Sequence, residues 1–228
     1  MQTEPEELKE YNAVIGILGG DAKRAEDEWR RDPTSQFHRR TYVRAGFAYI
    51  EGHVYRLKQL ILSLDNHKLG LQSQRGGAPS PNAPAVLTVL TGGDRLILEE
   101  QSFDVDDKGN SYAKQAFVRL DKNIKFAFRT FAKATDIPFK LDLETAGWRA
   151  FQKATEVRNR ITHPKSISDL SISDTEIDTV HNGFVWYLNS ANRCLSMLFE
   201  ETAKRTAVMN GTKMTVLRKI QKGGTTPP

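Results

Sequence analysis

Seven consecutive residues, Arg158-Asn159-Arg160-Ile161-Thr162-His163-Pro164, bring together groups that could break a phosphodiester bond in RNA without a metal ion. That reaction needs a group to take the 2′-hydroxyl proton and one to protonate the leaving 5′-oxygen. It also needs a cation to hold the charge that builds on phosphorus. Histidine titrates near working pH, and arginine keeps its charge and grips phosphate in a fork. One Arg158 and one His163 are an incomplete set, but a two-fold dimer would supply two of each. His163 also falls where a helix should end, because Pro164 disfavours helical geometry in the residue before it. The negative end of the helix dipole there favours an imidazolium.

The spacing alone is weak. With 17 arginines and five histidines, an arginine followed by four residues and a histidine arises by chance roughly one time in three. A looser pair, Arg31 and His38, straddles Pro33 in a break between helices and is set aside. The weight lies in the composite of Arg158-Asn159 on the exposed flank of an amphipathic helix, His163-Pro164 at its end, and a long helix after it.

The elements that must hold these residues are mostly helical. Residues 6–31 are charged, with sparse apolar positions interrupted by Gly16, Gly19 and Gly20, and predict two short helical pieces. Residues 37–64 repeat apolar side chains at helical spacing (Tyr42, Ala45, Tyr49, Val54, Leu57, Ile61), which predicts a strong amphipathic helix. Residues 69–85, rich in glycine and proline, are expected to be a mobile loop. Residues 86–100 are read as two helical turns divided by Gly92-Gly93. A hairpin is expected over 102–118, turning at Asp106-Asp107-Lys108-Gly109-Asn110. Asp121, Asp142 and Asp174 are read as caps of three further helices: 122–135, 143–162 and a long one from 174 to about 205. The expected class is therefore mainly α, a helical bundle with a small β-hairpin insertion. Its parts are an N-terminal helical extension (1–36), the bundle (37–205) and a basic, flexible tail (206–228).

Other constellations fall away. Asp104-Val105-Asp106-Asp107-Lys108-Gly109 begins like a calcium loop, but Lys108 stands where a ligand belongs, so it reads as a turn. Glu51-Gly52-His53 and His181 lack metal-spaced partners. Neither Gly19-Gly20 nor Gly92-Gly93 is followed by the Lys and hydroxyl of a phosphate loop. Phe126, Phe128 and Phe131 read as core. No metal or cofactor is expected.

Of the 228 residues, 39% are hydrophobic and 27% charged, the proportions of a globular protein rather than a membrane-embedded or disordered one. The net charge is +5, and after Glu201 six lysines and arginines follow with no acidic residue. Cys194 is the only cysteine and sits among Leu195, Met197 and Leu198, which predicts a packed thiol. The acidic, polar N-terminus reads as no signal peptide, and no apolar run reaches the roughly 18 residues of a membrane span. A cytoplasmic location is the expectation.

The stretch from Ala154 to Pro164, with Arg158, the polar Asn159 and His163 near a helix end, resembles the signature of HEPN domains, and the order of helices over about 37–205 is similar to their bundle. The resemblance implies a homodimeric, metal-independent endoribonuclease acting on single-stranded RNA, with Arg158 and His163 catalytic and Asn159 assisting. Glu51, on the first core helix, is the matching acidic residue. It also implies a toxin or anti-phage effector restrained by an antitoxin or regulatory protein. The alternative is a catalytically silent HEPN-like module that dimerises or binds a nucleotide or partner.

Overall fold

The computed structural model describes residues 6–74 and 90–223, with side chains for 6–67 and 90–208. Among them are six α-helices, one 3-10 turn and one two-stranded antiparallel sheet. The chain is thus mainly α with a small hairpin, as expected.

Helix α1 (Glu6–Arg31) is continuous, where the glycines had predicted two pieces. Each glycine inside a helix costs about 1 kcal/mol relative to alanine, but here tertiary packing outweighs propensity. Gly16 and Gly20 face open space, while Gly19 lies against Tyr49, and Leu18 fills the hollow above Gly52 so closely that a Cβ there would sit 2.4 Å from its Cδ1. Ala25 and Trp29 are buried. Helix α2 (Gln36–Gln74) continues ten residues past the expected end at Leu64, so 69–74 is helical rather than loop. No proline or turn pair precedes Gly76-Gly77, and nothing local stops the helix. The remainder of the expected loop, 75–85, and the apolar 86–89 lie outside the described residues.

Helix α3 (Gly92–Leu98) begins at the glycine pair that was expected to divide it. Thr91 caps it, accepting the Asp94 N–H at 3.1 Å while its own N–H donates to Asp94 Oδ2. Strands β1 (Gln101–Val105) and β2 (Ser111–Gln115) pair with Phe103 opposite Ala113. The second strand ends at Gln115, short of the expected 118. The turn is held by Asp106 Oδ1, which accepts the Lys108 and Asn110 N–H groups, and by Gly109 at φ 84°.

Three caps differ from expectation. Helix α4 (Leu120–Thr135) has no side-chain cap, and Asp121 sits in its first turn paired to Arg119 at 3.3 Å. Helix α5 (Ala146–Thr162) is capped by Thr145 rather than Asp142, whose carboxylate takes the Glu144 N–H, so Leu143 lies outside the helix. After the 3-10 turn Ile167–Leu170 comes α6 (Asp174–Gly223). Its cap is a reciprocal pair: Ser173 Oγ accepts the Glu176 N–H, and Glu176 Oε2 accepts the Ser173 N–H. Asp174, the expected cap, instead pairs with Arg39. Residues 206–223, expected as a flexible tail, continue α6 as helix. Good helix formers and basic residues at a helix C-terminus both favour that.

The main packings are α1 on α2, α5 on α6, and α4 on α2. Phe47, Phe128, Phe131, Phe151 and Tyr187 are almost fully enclosed in one core. Helices α5 and α6 approach so closely that a Cβ on Gly183 would lie 2.8 Å from the Phe151 Cα, which accounts for a glycine there. Cys194 is buried as expected, and burial pushes its thiol up to about 12. No described helix is long and apolar enough to cross a membrane.

Candidate active site

Helix α5 buries Ala154, Val157 and Ile161 and turns the intervening positions outward. Arg158 therefore emerges beside α2, where Glu51 sits on the exposed flank of a helix whose other side enters the core. The Arg158 Nη2 donates to Glu51 Oε1, and Nη1 donates to Asn159 Oδ1 at 3.0 Å. Its guanidinium carbon is 5.9 Å from the centre of the Phe47 ring. The pair is half-buried, with side-chain exposures of 28% for Arg158 and 41% for Glu51, so the guanidinium is steered without being sealed from solvent. These bonds use two of its five N–H donors, one on each terminal nitrogen, and the other three leave the fork capacity for a phosphate.

His163 is the C-cap of α5, at φ −125° and ψ 60°, and is exposed. Its N–H donates to the Asn159 carbonyl at 3.0 Å. The helix thus ends at His163-Pro164 as expected. The structure joins Arg158 to both Asn159 and Glu51 and places His163 one helical turn beyond Asn159. Among the described residues, the His163 N–H to the Asn159 carbonyl is the one hydrogen bond between it and that trio.

What anchors the histidine was not legible from the motif. The connection from 163 to 173 is fastened by arginines donating to its carbonyls. Arg39 Nη1 reaches Ile172 O at 2.5 Å, Arg40 Nη1 reaches Leu170 O at 3.0 Å, and Arg160 Nη1 reaches Ser171 O at 2.8 Å. Arg44 Nη2 holds Ile161 O at 3.1 Å, and Gln36 bonds both backbone groups of Ile172. Asp169 accepts the Lys165 and Ser166 N–H groups at 2.8 and 2.9 Å, and the Lys165 N–H holds its carboxyl below the usual range. One signal could have revealed this: α2 opens with His38, Arg39 and Arg40 and no acidic residue. Cations at a helix N-terminus oppose its dipole, so partners elsewhere were to be sought.

Glu51 and His53, on either side of Gly52, part ways. His53 is 4% exposed, with Nδ1 2.5 Å from Tyr187 Oη and Nε2 2.7 Å from Tyr11 Oη. Burial pushes it down to about 4. Among the described residues no group of three His, Cys, Asp or Glu side chains could hold a metal ion. The arrangement presents a partly exposed guanidinium that can steady a phosphate and, at the helix end, a solvent-exposed imidazole. Comparison with family models, curated proteins and solved structures finds no match to this chain.

Proposed function

We propose that this protein is a HEPN-type endoribonuclease, cytoplasmic, cleaving single-stranded RNA as a homodimer without a metal ion. The observation that carries the reading is the half-exposed Arg158, oriented by Glu51 and Asn159 on the last turns of α5 and followed at the helix end by the exposed His163. In this reading Arg158 holds the scissile phosphate. The two His163 side chains of a dimer act as base and acid, the 2′-oxygen attacks phosphorus, and the 5′-oxygen leaves with a proton. The products carry a 2′,3′-cyclic phosphate and a 5′-hydroxyl. A role as a toxin or anti-phage effector, checked by an antitoxin or regulatory protein, follows from the resemblance.

The second reading is a silent dimerisation or partner-binding module. One observation favours it: the Arg158 charge is already balanced by Glu51. The deciding experiment is cleavage of an end-labelled single-stranded RNA in excess EDTA by the wild type, Arg158→Ala and His163→Ala. Cyclic-phosphate products from the wild type alone support the ribonuclease. Absence of cleavage by a folded, dimeric wild type gives the module reading, and activity abolished by EDTA and restored by magnesium moves the chemistry elsewhere.

A further inference from the structure

On the side of α2 away from Glu51, an open cavity of about 210 Å³ lies between α1, α2 and α6. Tyr42, Gly46, Tyr49 and Ile50 recur along one face of α2 to form a wall. Phe184 and Leu188 of α6 form another, and the small Gly19 and Ala22 of α1 leave the space open. At 100° per residue, Glu51 stands roughly half a turn from the centre of that face, so the cavity is separate from the candidate active site. An apolar cavity of about 150 Å³ is known to hold one benzene ring, so about 210 Å³ is enough for one bicyclic ring system.

The polar features of the wall define an occupant. Tyr42 is 4% exposed, stacked on Trp29 at 4.9 Å, and its Oη is 2.8 Å from His181 Nδ1. The other ring nitrogen, His181 Nε2, is 3.3 Å from Arg30 Nη2. A guanidinium only donates, so Nε2 must accept, the ring must be neutral, and the proton must sit on Nδ1. Burial first, and then the Arg30 charge, hold this imidazole below its ordinary pKa, consistent with the neutral ring, although Glu26 and Asp178 act in the opposite direction. His181 Nδ1–H therefore donates to Tyr42 Oη. Among the described residues, nothing accepts the Tyr42 hydroxyl's own hydrogen. A buried donor without an acceptor costs roughly the desolvation of that group, and Tyr42 lines the cavity.

Charge at the rim settles the rest. Lys23 bonds Asp27 at 2.7 Å and lies 3.6 Å from Glu26, which in turn pairs with Arg30 at 2.7 Å. Two cations and two carboxylates cancel, favouring neither a phosphate nor an ammonium. We propose that this cavity binds a single uncharged heteroaromatic ring system whose edge carries a hydrogen-bond acceptor for the Tyr42 hydroxyl. The rings pack against Tyr49, Phe184, Ile50 and Leu188.

The test uses two ligands of one shape, quinoline with a ring-nitrogen acceptor and naphthalene without one, titrated into the ¹⁵N-labelled full chain. Quinoline should shift the Gly19, Gly46 and Leu188 amides saturably and bind about fivefold more tightly than naphthalene, the worth of one neutral hydrogen bond. Tyr42→Phe should erase that preference, and Ala22→Leu, which fills the space, should abolish the binding of both. The inference is overturned if quinoline shifts none of these amides saturably, if naphthalene binds equally well, or if the preference survives in folded Tyr42→Phe. None of these readouts depends on RNA cleavage, so the ribonuclease reading and this one can fail separately.

Discussion

Glu51 and His53 stand two residues apart on α2 and meet opposite fates. Glu51 faces α5 at the surface and shares its charge with Arg158, while His53 points inward and shares its nitrogens with two tyrosine hydroxyls from α1 and α6. A half-exposed ion pair contributes little to stability, whereas a buried imidazole between two hydroxyls is a fixed part of the core and carries no charge there. A titratable residue near a motif can thus serve chemistry or architecture, and enclosure separates the two roles better than spacing does.

The largest effect expected from this contrast lies on the buried side. The folded His53 sits at about 4, against about 6.5 when unfolded, so between those values only the unfolded chain takes up the proton. Its contribution is complete above the unfolded value and is lost as pH falls from about 6.5 toward 4, a change of about 3 kcal/mol. Urea unfolding at a series of pH values should show that slope, and His53→Leu should lack it. A wild type equally stable at pH 4.5 and 7 would place the imidazole in a less enclosed setting.

Next come the exposed residues. His163→Ala and Arg158→Ala should each lower RNA cleavage by roughly a hundredfold or more. Neither should change the free energy of unfolding by more than about half a kcal/mol. Mixing the two variants makes heterodimers that hold one arginine and one histidine, and partial recovery of cleavage would locate the site across the two-fold. Wild-type cleavage by both folded variants would remove the catalytic role from this segment.

Smaller effects grade the supporting contacts. Glu51→Gln keeps an acceptor for Arg158 but removes the charge, and should reduce cleavage about fivefold, the scale of a half-exposed ion pair. Wild-type kinetics in this variant would make Glu51 a bystander. Asn159→Ala should cost the least, about threefold, because an amide can orient the guanidinium but cannot carry a proton. A larger loss than from Glu51→Gln would invert the order of the two contacts.

Local signals in the chain were legible and long-range ones were not. The hairpin turn around Gly109 and the end of α5 at Pro164 follow from backbone restrictions within a few residues. The chosen caps fared worse, because Asp142 and Asp174 each had a hydroxyl-bearing neighbour, Thr145 or Ser173, in better register. Continuity of α1 across three glycines depended on α2, which no window of α1 contains. Within the site, Arg158, Asn159 and His163 could be picked out by type and position. The partnership of Arg158 with Glu51 spans 107 residues and came only through resemblance. His53 could not be assigned at all, since its partners Tyr11 and Tyr187 lie in distant segments.

The arginine fastenings of the 163–173 connection also bear on when the site exists during synthesis. Arg39 and Arg40 reach carbonyls 133 and 130 residues further along the chain. Translation at about 5–20 residues per second makes that interval on the order of ten seconds. Throughout it the acceptors have not yet been made, so a nascent chain that already displays Glu51 and Arg39 has no anchored histidine. A chain released at residue 165 would keep Arg158 and His163 yet lack the carbonyls of Leu170 and Ile172, and is expected not to cleave RNA. If the fold harbours a ribonuclease, it arms itself only after the start of α6 has left the ribosome.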